Sequence, residues 1–264
     1  MRAIGVDNIQ RMIKVAMSLT LLACDLLRGG RLAQSSRGVI LLYHDVHEHH
    51  RERFRRQLRA MRRCGTVVCL DDIESIPDGR WRVAVTFDDG RRTFVDTALE
   101  ELMAEQVPAT LFVPAGLTGD AIPDEDAPLM TDDELVALPQ LIEVGSHGLM
   151  HVRESRLPAE QLKEELVRSQ HDLEVLIGHP VDRHAYPYGD HSATVIDVAR
   201  EVYRSCYTVT PHLAPPRSSW TIGRVVVDPD DWPLEFWLKI RGAYRWMGWY
   251  MDAKRRAQRL VGKA

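Results

Sequence analysis

The stretch Val83-Ala84-Val85-Thr86-Phe87-Asp88-Asp89-Gly90 decides the fold. Its first five residues are apolar or β-branched, the composition of a buried strand, and the run stops at two adjacent carboxylates and a glycine. In a βα barrel the reactive groups gather at the carboxyl ends of the strands. Neighbouring side chains leave a strand in different directions, so one Asp can bind a metal while the other stays free to take a proton. Taken alone, the pattern also fits a strand that closes in an Asp-Gly turn.

The chain on either side repeats the same alternation. Strands are expected at Val39–Tyr43, Thr66–Leu70, Ala109–Val113, Leu141–Ser146, Arg183–Pro187, Cys206–Val209 and Ile222–Val227. Between them, Arg51–Arg63 puts Phe54, Leu58 and Met61 on one helical face, and Thr93–Gln106 follows a turn. Thr131 and Glu134 form a capping-box pattern, and Pro158 opens a helix running to Ile177. Strand and helix alternate throughout, which predicts an α/β fold of parallel βα units, closed as a barrel or wound as an open sheet. No repeat or low-complexity linker interrupts it, so residues 38–232 read as one catalytic domain between appended segments 1–37 and 233–264.

Composition sets the outer bounds. The 264 residues are 45 % apolar and 27 % charged, as in one ordinary globular domain. Four irregularly spaced cysteines in a chain able to bury its own core do not make a disulfide scaffold, and Cys64 and Cys69, flanking a short strand, are expected as buried thiols. No run of about eighteen uncharged apolar residues predicts a transmembrane helix. The formal net charge of −4 hides a segregation: residues 1–37 carry +4, residues 233–264 carry +6 and the body −14. Basic groups at the ends of an acidic body argue against nucleic acid as a partner and for an anionic membrane surface.

Four further segments carry chemistry. In Gly145-Ser146-His147-Gly148-Leu149-Met150-His151 the two histidines share a face if the segment turns helically, and with Asp89 they complete two imidazoles and a carboxylate. Zinc takes such nitrogen and oxygen ligands at about 2.0–2.2 Å and keeps a position open for water. Arg183-His184-Ala185-Tyr186-Pro187-Tyr188-Gly189 is strand-like until the Pro and Gly stop it. Asp228-Pro229-Asp230-Asp231-Trp232 joins carboxylates to an aromatic surface able to stack on a sugar ring, and Tyr43-His44-Asp45-Val46 ends the first strand of the body with a histidine. Singly, each also fits an ordinary loop. His47, Glu48, His49 and His50 read as a solvated turn before a basic helix.

Together and in this order, the segments resemble the polysaccharide deacetylases of carbohydrate esterase family 4, whose motifs are T-F-D-D-G, H-[ST]-x-x-H, R-x-x-[FY]-P-[FY]-G and D-x-x-D-W. Thr86–Gly90, Arg183–Gly189 and Asp228–Trp232 match three of them fully, and His147–His151 matches the remaining one with Gly148 in place of Ser or Thr. The family's last motif, Leu-x-His near the C-terminus, has no counterpart, since no histidine follows His212. The Tyr43–Val46 segment instead resembles the permuted branch that includes the biofilm poly-N-acetylglucosamine deacetylases, where the acid histidine comes from the N-terminal strand.

The resemblance implies a distorted (β/α) barrel of about seven strands with amphipathic helices at both ends. It implies hydrolysis dependent on a divalent metal, with Zn²⁺ the expected ion, held by Asp89, His147 and His151. Asp88 would act as general base and His44 as general acid, with Arg183 orienting the base and Asp231 supporting the acid. The Tyr188 backbone N–H would meet the oxyanion, and Tyr186, Tyr188 and Trp232 would contact the glycan. The implied substrate is an acetylated amino sugar in a cell-surface polysaccharide or its lipid-linked precursor. O-acetyl esters, small cyclic amides and formylated sugars are alternatives on the same fold, as is a non-catalytic glycan-binding module.

The two ends fit a membrane. Val15–Cys24 is apolar except at Ser18 and Thr20, and it follows Arg11 and Lys14. As a signal peptide it lacks a clean small-x-small cleavage site. Leu21-Leu22-Ala23-Cys24 loosely resembles a lipobox, and the pattern resuming at Leu26 and Leu27 fits a half-buried or interfacial amphipathic helix. At the other end, Trp232, Trp237, Trp246 and Trp249 are interleaved with Lys239, Arg241 and Arg245, as in an interfacial anchor or in a helix packed across the barrel under arginine stems. The expected location is the inner membrane of a bacterial-type cell, at its cytoplasmic or periplasmic face.

Overall fold

The computed structural model describes residues 6–27, 38–74, 80–123, 127–214 and 218–260; residues 1–5, 28–37 and 261–264 of the two predicted end segments lie outside these. Nine parallel strands form the sheet: β1 (Gly38–Tyr43), β2 (Thr66–Val67), β3 (Arg82–Phe87), β4 (Ala109–Val113), β5 (Ile142–Ser146), β6 (Arg183–Ala185), β7 (Ser205–Thr208), β8 (Ile222–Gly223) and β9 (Val225–Val226). Eight of them run in the order β8-β7-β6-β5-β4-β3-β1-β9, while β2 pairs beside β3. One continuous segment, 222–226, supplies both ends of that path. Tyr207 and Thr208 pair with Ile222 and Gly223 on one side, and Leu41 and Leu42 with Val225 and Val226 on the other. The sheet thereby nearly closes, with a step at Arg224.

Residue parity sorts the strands into an inside and an outside. Ile40, Ala84, Phe112, Ala185, Tyr207 and Ile222 pack on one another within the barrel. Val39, Leu41, Tyr43, Val83, Val85, Phe87, Leu111 and Val144 point outward and pack against the helical layer. That layer comprises α2 (Arg51–Cys64), α3 (Leu70–Glu74), α4 (Leu99–Ala104), α5 (Asp132–Val136), α6 (Ala159–Ile177), α7 (Ala193–Val202) and α8 (Pro233–Ile240). Phe54, Leu58 and Met61 are fully buried on α2, as their spacing predicts. A wider turn at Phe94–Ala98 leads into α4, and Thr131 and Glu134 form the expected capping box of α5. Strand β2 is shorter than predicted, so Cys69 falls in exposed chain instead of becoming a buried thiol, while Cys64 is half-buried; all four cysteines are free.

Two terminal helices lie against this body. α1 (Val6–Leu27) runs past α8 and α9 (Arg245–Leu260). The Arg11 guanidinium pairs with Glu235 at 2.7 Å, Trp246 Nε1–H donates to the buried Ser18 hydroxyl at 3.0 Å, and Asp25 pairs with Arg245. No helix among the described residues is long and apolar enough to cross a membrane.

Candidate active site

The carboxyl ends of β1, β3, β5 and β6 deliver His44, Asp88, His147 and the Tyr186–Gly189 turn to one end of the barrel. Asp88 continues the inward parity of Ala84 and Thr86, and its backbone N–H donates to Tyr43 O at 3.0 Å. At Asp89 the chain turns into the left-handed region, with φ of 72°, followed by Gly90 at 64°. A non-glycine residue there costs on the order of 1–3 kcal/mol and is held only by its surroundings. Arg91 supplies part of that hold, since its Nε–H donates to Asp89 Oδ2 at 2.9 Å while its Nη1 pairs with Asp45 at 3.3 Å.

The other oxygen, Asp89 Oδ1, faces His147 Nε2 and His151 Nε2, each at 3.4 Å. All three side chains are buried, and their ligand atoms lie within 4.8 Å of one another. An edge of about 3.4 Å is what a tetrahedral ion with ligand bonds of about 2.1 Å requires. His147 Nδ1–H donates to Ala185 O at 2.7 Å, which leaves Nε2 as the free lone pair aimed at the centre. The donor set therefore fits a divalent metal.

The histidines do not meet by helical periodicity. Residues 147–153 form a turn with Gly148 at φ 76° and His151 at φ 50°. Glu165 and Ser169 of α6 pin it: Glu165 Oε1 accepts the Leu149 and Met150 N–H groups at 2.8 Å, and the Ser169 hydroxyl donates to Gly148 O at 2.8 Å. A Cβ at Gly148 would sit 3.0 Å from Glu165 Oε1 and take the same left-handed φ, so Gly148 keeps both the turn and the carboxylate beneath it.

Asp88 is locked by a residue the motifs do not contain. Arg224, fully buried, donates from Nη1 to Asp88 Oδ1 at 2.6 Å and from Nη2 to Asp88 Oδ2 at 2.7 Å. Its guanidinium lies over Phe112 at 5.2 Å and Tyr207 at 5.9 Å inside the barrel. Burial pushes the Asp88 carboxyl up, but the charges of Arg224, His147 and His44 outweigh it and hold the group below the usual carboxylate range. The same opposition, won by hydrogen bonds to His147 and His151, holds Asp89 far below the usual carboxylate range. His147 moves the other way, since burial lowers it but the two aspartates raise it above the usual imidazole value.

Several predicted roles require correction. Arg183 does not orient Asp88. As the first residue of β6 it enters the barrel at the opposite, amino end, where it bonds Glu143 at 2.7 Å, Tyr207 OH at 2.7 Å and Asp71 at 2.5 Å. Tyr186 lines no groove: it is fully buried and donates its hydroxyl to Trp220 O at 3.0 Å. Asp231 accepts from the Asp228 N–H and from Lys239, whose Nζ lies 2.7 Å from each oxygen, so it does not support His44; burial leaves its carboxyl above the usual range despite the lysine.

The remaining candidates stand at the rim. His44 is half-buried near both aspartates and makes no hydrogen bond to a described residue. The Tyr188 ring packs 4.7 Å from His151, its backbone is left-handed at φ 61°, and the Arg153 guanidinium lies 4.5 Å from the ring. Trp232 is partly exposed under the Arg11 guanidinium at 4.8 Å. His47 and His49 are solvated, while His50 pairs with Asp230 at 3.1 Å.

Residues 76–204 match the model of the polysaccharide deacetylase family. The chain carries a polysaccharide deacetylase domain. Such domains are hydrolases acting on carbon–nitrogen bonds in acetylated polysaccharides, the family is metal-dependent, and this domain offers Asp89, His147 and His151 as a possible metal site. Among solved structures, the deacetylase domain is similar to IcaB from Ammonifex degensii, at 25 % identity and a TM-score of 0.69 over 80 % of this chain and 98 % of that one. It shares its fold with the Streptococcus pyogenes deacetylase PplD, at 20 % identity and a TM-score of 0.68 over 77 % and 98 %, and with the BpsB deacetylase domain from Bordetella bronchiseptica, at 21 % and 0.60 over 73 % and 96 %. No curated protein matches the chain by sequence.

Arg224, Arg91 and Lys239 are the residues that motif reading misses. For Arg224 a signal exists, because a lone arginine inside a predicted strand, Ile222–Val227, has to be buried with a partner. Nothing in the spacing of Arg91 or Lys239 announces an aspartate as the partner.

Proposed function

We propose that this deacetylase removes N-acetyl groups from amino sugars of a cell-surface polysaccharide or its lipid-linked precursor. The observation that carries the reading is the pairing of two buried aspartates with two roles at one barrel mouth. Asp89 faces two histidine nitrogens at 3.4 Å, and Asp88, beside it with Oδ2 3.9 Å from His147 Nε2, is held on both oxygens by Arg224. Asp89, His147 and His151 would hold the divalent ion, and their two nitrogens and one oxygen favour Zn²⁺. Bound there, such an ion would supply Lewis-acid chemistry, polarising the acetamide carbonyl and making the attacking water more acidic.

The protein's own groups then divide the proton work. Asp88, kept ionised by Arg224, takes the proton of the attacking water. The Tyr188 backbone N–H, in a turn with φ of 61°, donates to the developing oxyanion. His44, close enough for its charge to act on both aspartates, returns a proton to the departing amine. Tyr188 and Trp232, both partly exposed at the rim, contact the sugar rings with their exposed ring edges.

The test is acetate release from N-acetylglucosamine oligomers by purified protein of measured metal content, with and without chelator. Chelator-sensitive release supports the assignment. A metal-loaded protein that frees acetate only from O-acetyl esters, or from no acetylated sugar at all, would overturn the substrate.

A further inference from the structure

Helix α1 is amphipathic in the reverse of the usual sense. Its charged side chains Arg11 and Asp25 turn toward the body, to Glu235 and Arg245, alongside the buried Ser18 and the half-buried Val15 and Leu22. Its outward side carries Ile9, Met12, Ile13, Met17, Leu19, Leu26 and Leu27, all exposed, and Leu27 reaches 88 %. From residue 8 to residue 24 there is no carboxylate. A water-facing helix surface is ordinarily polar, and a continuous apolar strip of this kind marks an interaction site.

We infer that this face of α1 lies in the headgroup plane of an anionic lipid bilayer, with the mouth of the deacetylase cleft held beside that surface. Charge selects the occupant. Residues 233–260, which form the helices packed against α1, carry seven basic and two acidic groups beside a body of −14, so an anionic plane attracts this side of the molecule and repels the rest, fixing an orientation. On the helices touching α1, Trp237, Trp249 and Tyr250 are exposed, with Arg241 5.4 Å from the Trp237 ring and Arg245 5.6 Å from that of Trp249. Aromatic rings beside basic groups, at the edge of an apolar strip, are the composition of an interfacial helix. Among the described residues, the polar ones exposed on α1, Asn8, Gln10 and Thr20, are all uncharged, and Thr20 turns its hydroxyl back to Ala16 O at 3.0 Å, as a face lying among headgroups allows.

The link to the cleft runs through Arg11. The same guanidinium that pairs with Glu235 donates to Asp230 O at 3.1 Å and lies over the Trp232 ring, so α1 is fastened directly to the aromatic rim. Placement of the cleft at the membrane rests on the deacetylase reading; bilayer binding by α1 does not.

The experiment uses the full chain with vesicles of phosphatidylglycerol and phosphatidylethanolamine against vesicles of phosphatidylcholine alone. Partition should be at least tenfold stronger on the anionic vesicles and weaken with salt, and acyl-chain bromination should quench the tryptophan emission. The variant M12E/I13E/M17E should lose at least tenfold of the partition while its helical circular dichroism stays unchanged; I13E alone should lose a smaller part. Equal partition of the wild-type chain on both vesicles, or unquenched tryptophans, would overturn the inference without any variant. A dimer in light scattering that M12E/I13E/M17E dissolves, with no vesicle binding, would assign the face to a second copy. Acetate release plays no part in these readouts, so a failed substrate assignment and a failed membrane assignment remain distinct.

Discussion

Replacing Arg224 by Met tests whether the Asp88 lock belongs to the chemistry or to the core alone. Methionine fills much of the arginine stem's volume but removes both hydrogen bonds, at 2.6 and 2.7 Å, from a carboxylate that is 3 % exposed. Removing one member of a buried ion pair costs about 3–5 kcal/mol, because the other is left charged and unpaired. In a domain of this size that lowers Tm by about 6–20 °C. Asp88 can relieve part of the cost by taking up a proton, and a protonated Asp88 is no base, so kcat should fall by about 10²–10⁴-fold. Differential scanning calorimetry and acetate release read the two effects on one preparation. Asp88→Asn combined with Arg224→Met should cost less stability than the two single changes added, by about 0.5–3 kcal/mol, since neither leaves the other's charge exposed to the core. Arg183→Met is the control: it breaks buried bonds to Glu143, Asp71 and Tyr207 at the far end of the barrel, and should lower Tm while kcat stays within a few-fold. Additive stabilities, or an equal loss of kcat in Arg183→Met, would refute the reasoning.

Three other outcomes are expected. Asp88→Asn should keep its metal and lose turnover, whereas His147→Ala should lose both; equal metal loss in the two, by elemental analysis, would contradict the division between base and ligand. His44→Ala should reduce kcat on an amide by about 10²–10⁴-fold, less on an ester whose leaving group needs no proton, and an unchanged amide rate would place the acid elsewhere. The Glu235 carboxyl is buried enough to be pushed up, but Lys239 and Arg11 hold it below its ordinary value of about 4.3. Its contribution to stability is therefore full above that value and is lost as pH falls through the lower folded one. Acid titration followed by far-ultraviolet circular dichroism should show α1 and α8 loosening below about pH 4, and Glu235→Gln should already be loosened at pH 7. A titration curve identical in the two proteins would dismiss the pairing.

Much of this molecule was legible before its structure. The alternation of short apolar runs and amphipathic helices determines the α/β class, because only parallel βα units bury strands that are apolar on both faces. Local chemistry determines the capping box at Thr131 and Glu134, the inward face of α2, and the strand that ends in Asp88 and Asp89. The motif string likewise determines the family, since five segments in a fixed order are far more specific than any one of them.

Tertiary structure alone decided which groups meet across the barrel. Arg183 and Arg224 are both buried, but strand polarity separates them: the first begins its strand and lies at the amino end, and the second sits at the step where 222–226 closes the barrel and lies under Asp88. A motif records spacing along the chain and carries no closure geometry, so it named the wrong arginine. Tyr186 and Asp231 diverge from expectation for the same reason, as their partners, Trp220 and Lys239, come from segments the motifs do not span. Helix α1 reverses the ordinary rule outright. Its period predicted two faces, but which one turns to water was set by Glu235 and Arg245, more than two hundred residues away, whose charges Arg11 and Asp25 could satisfy only by turning inward.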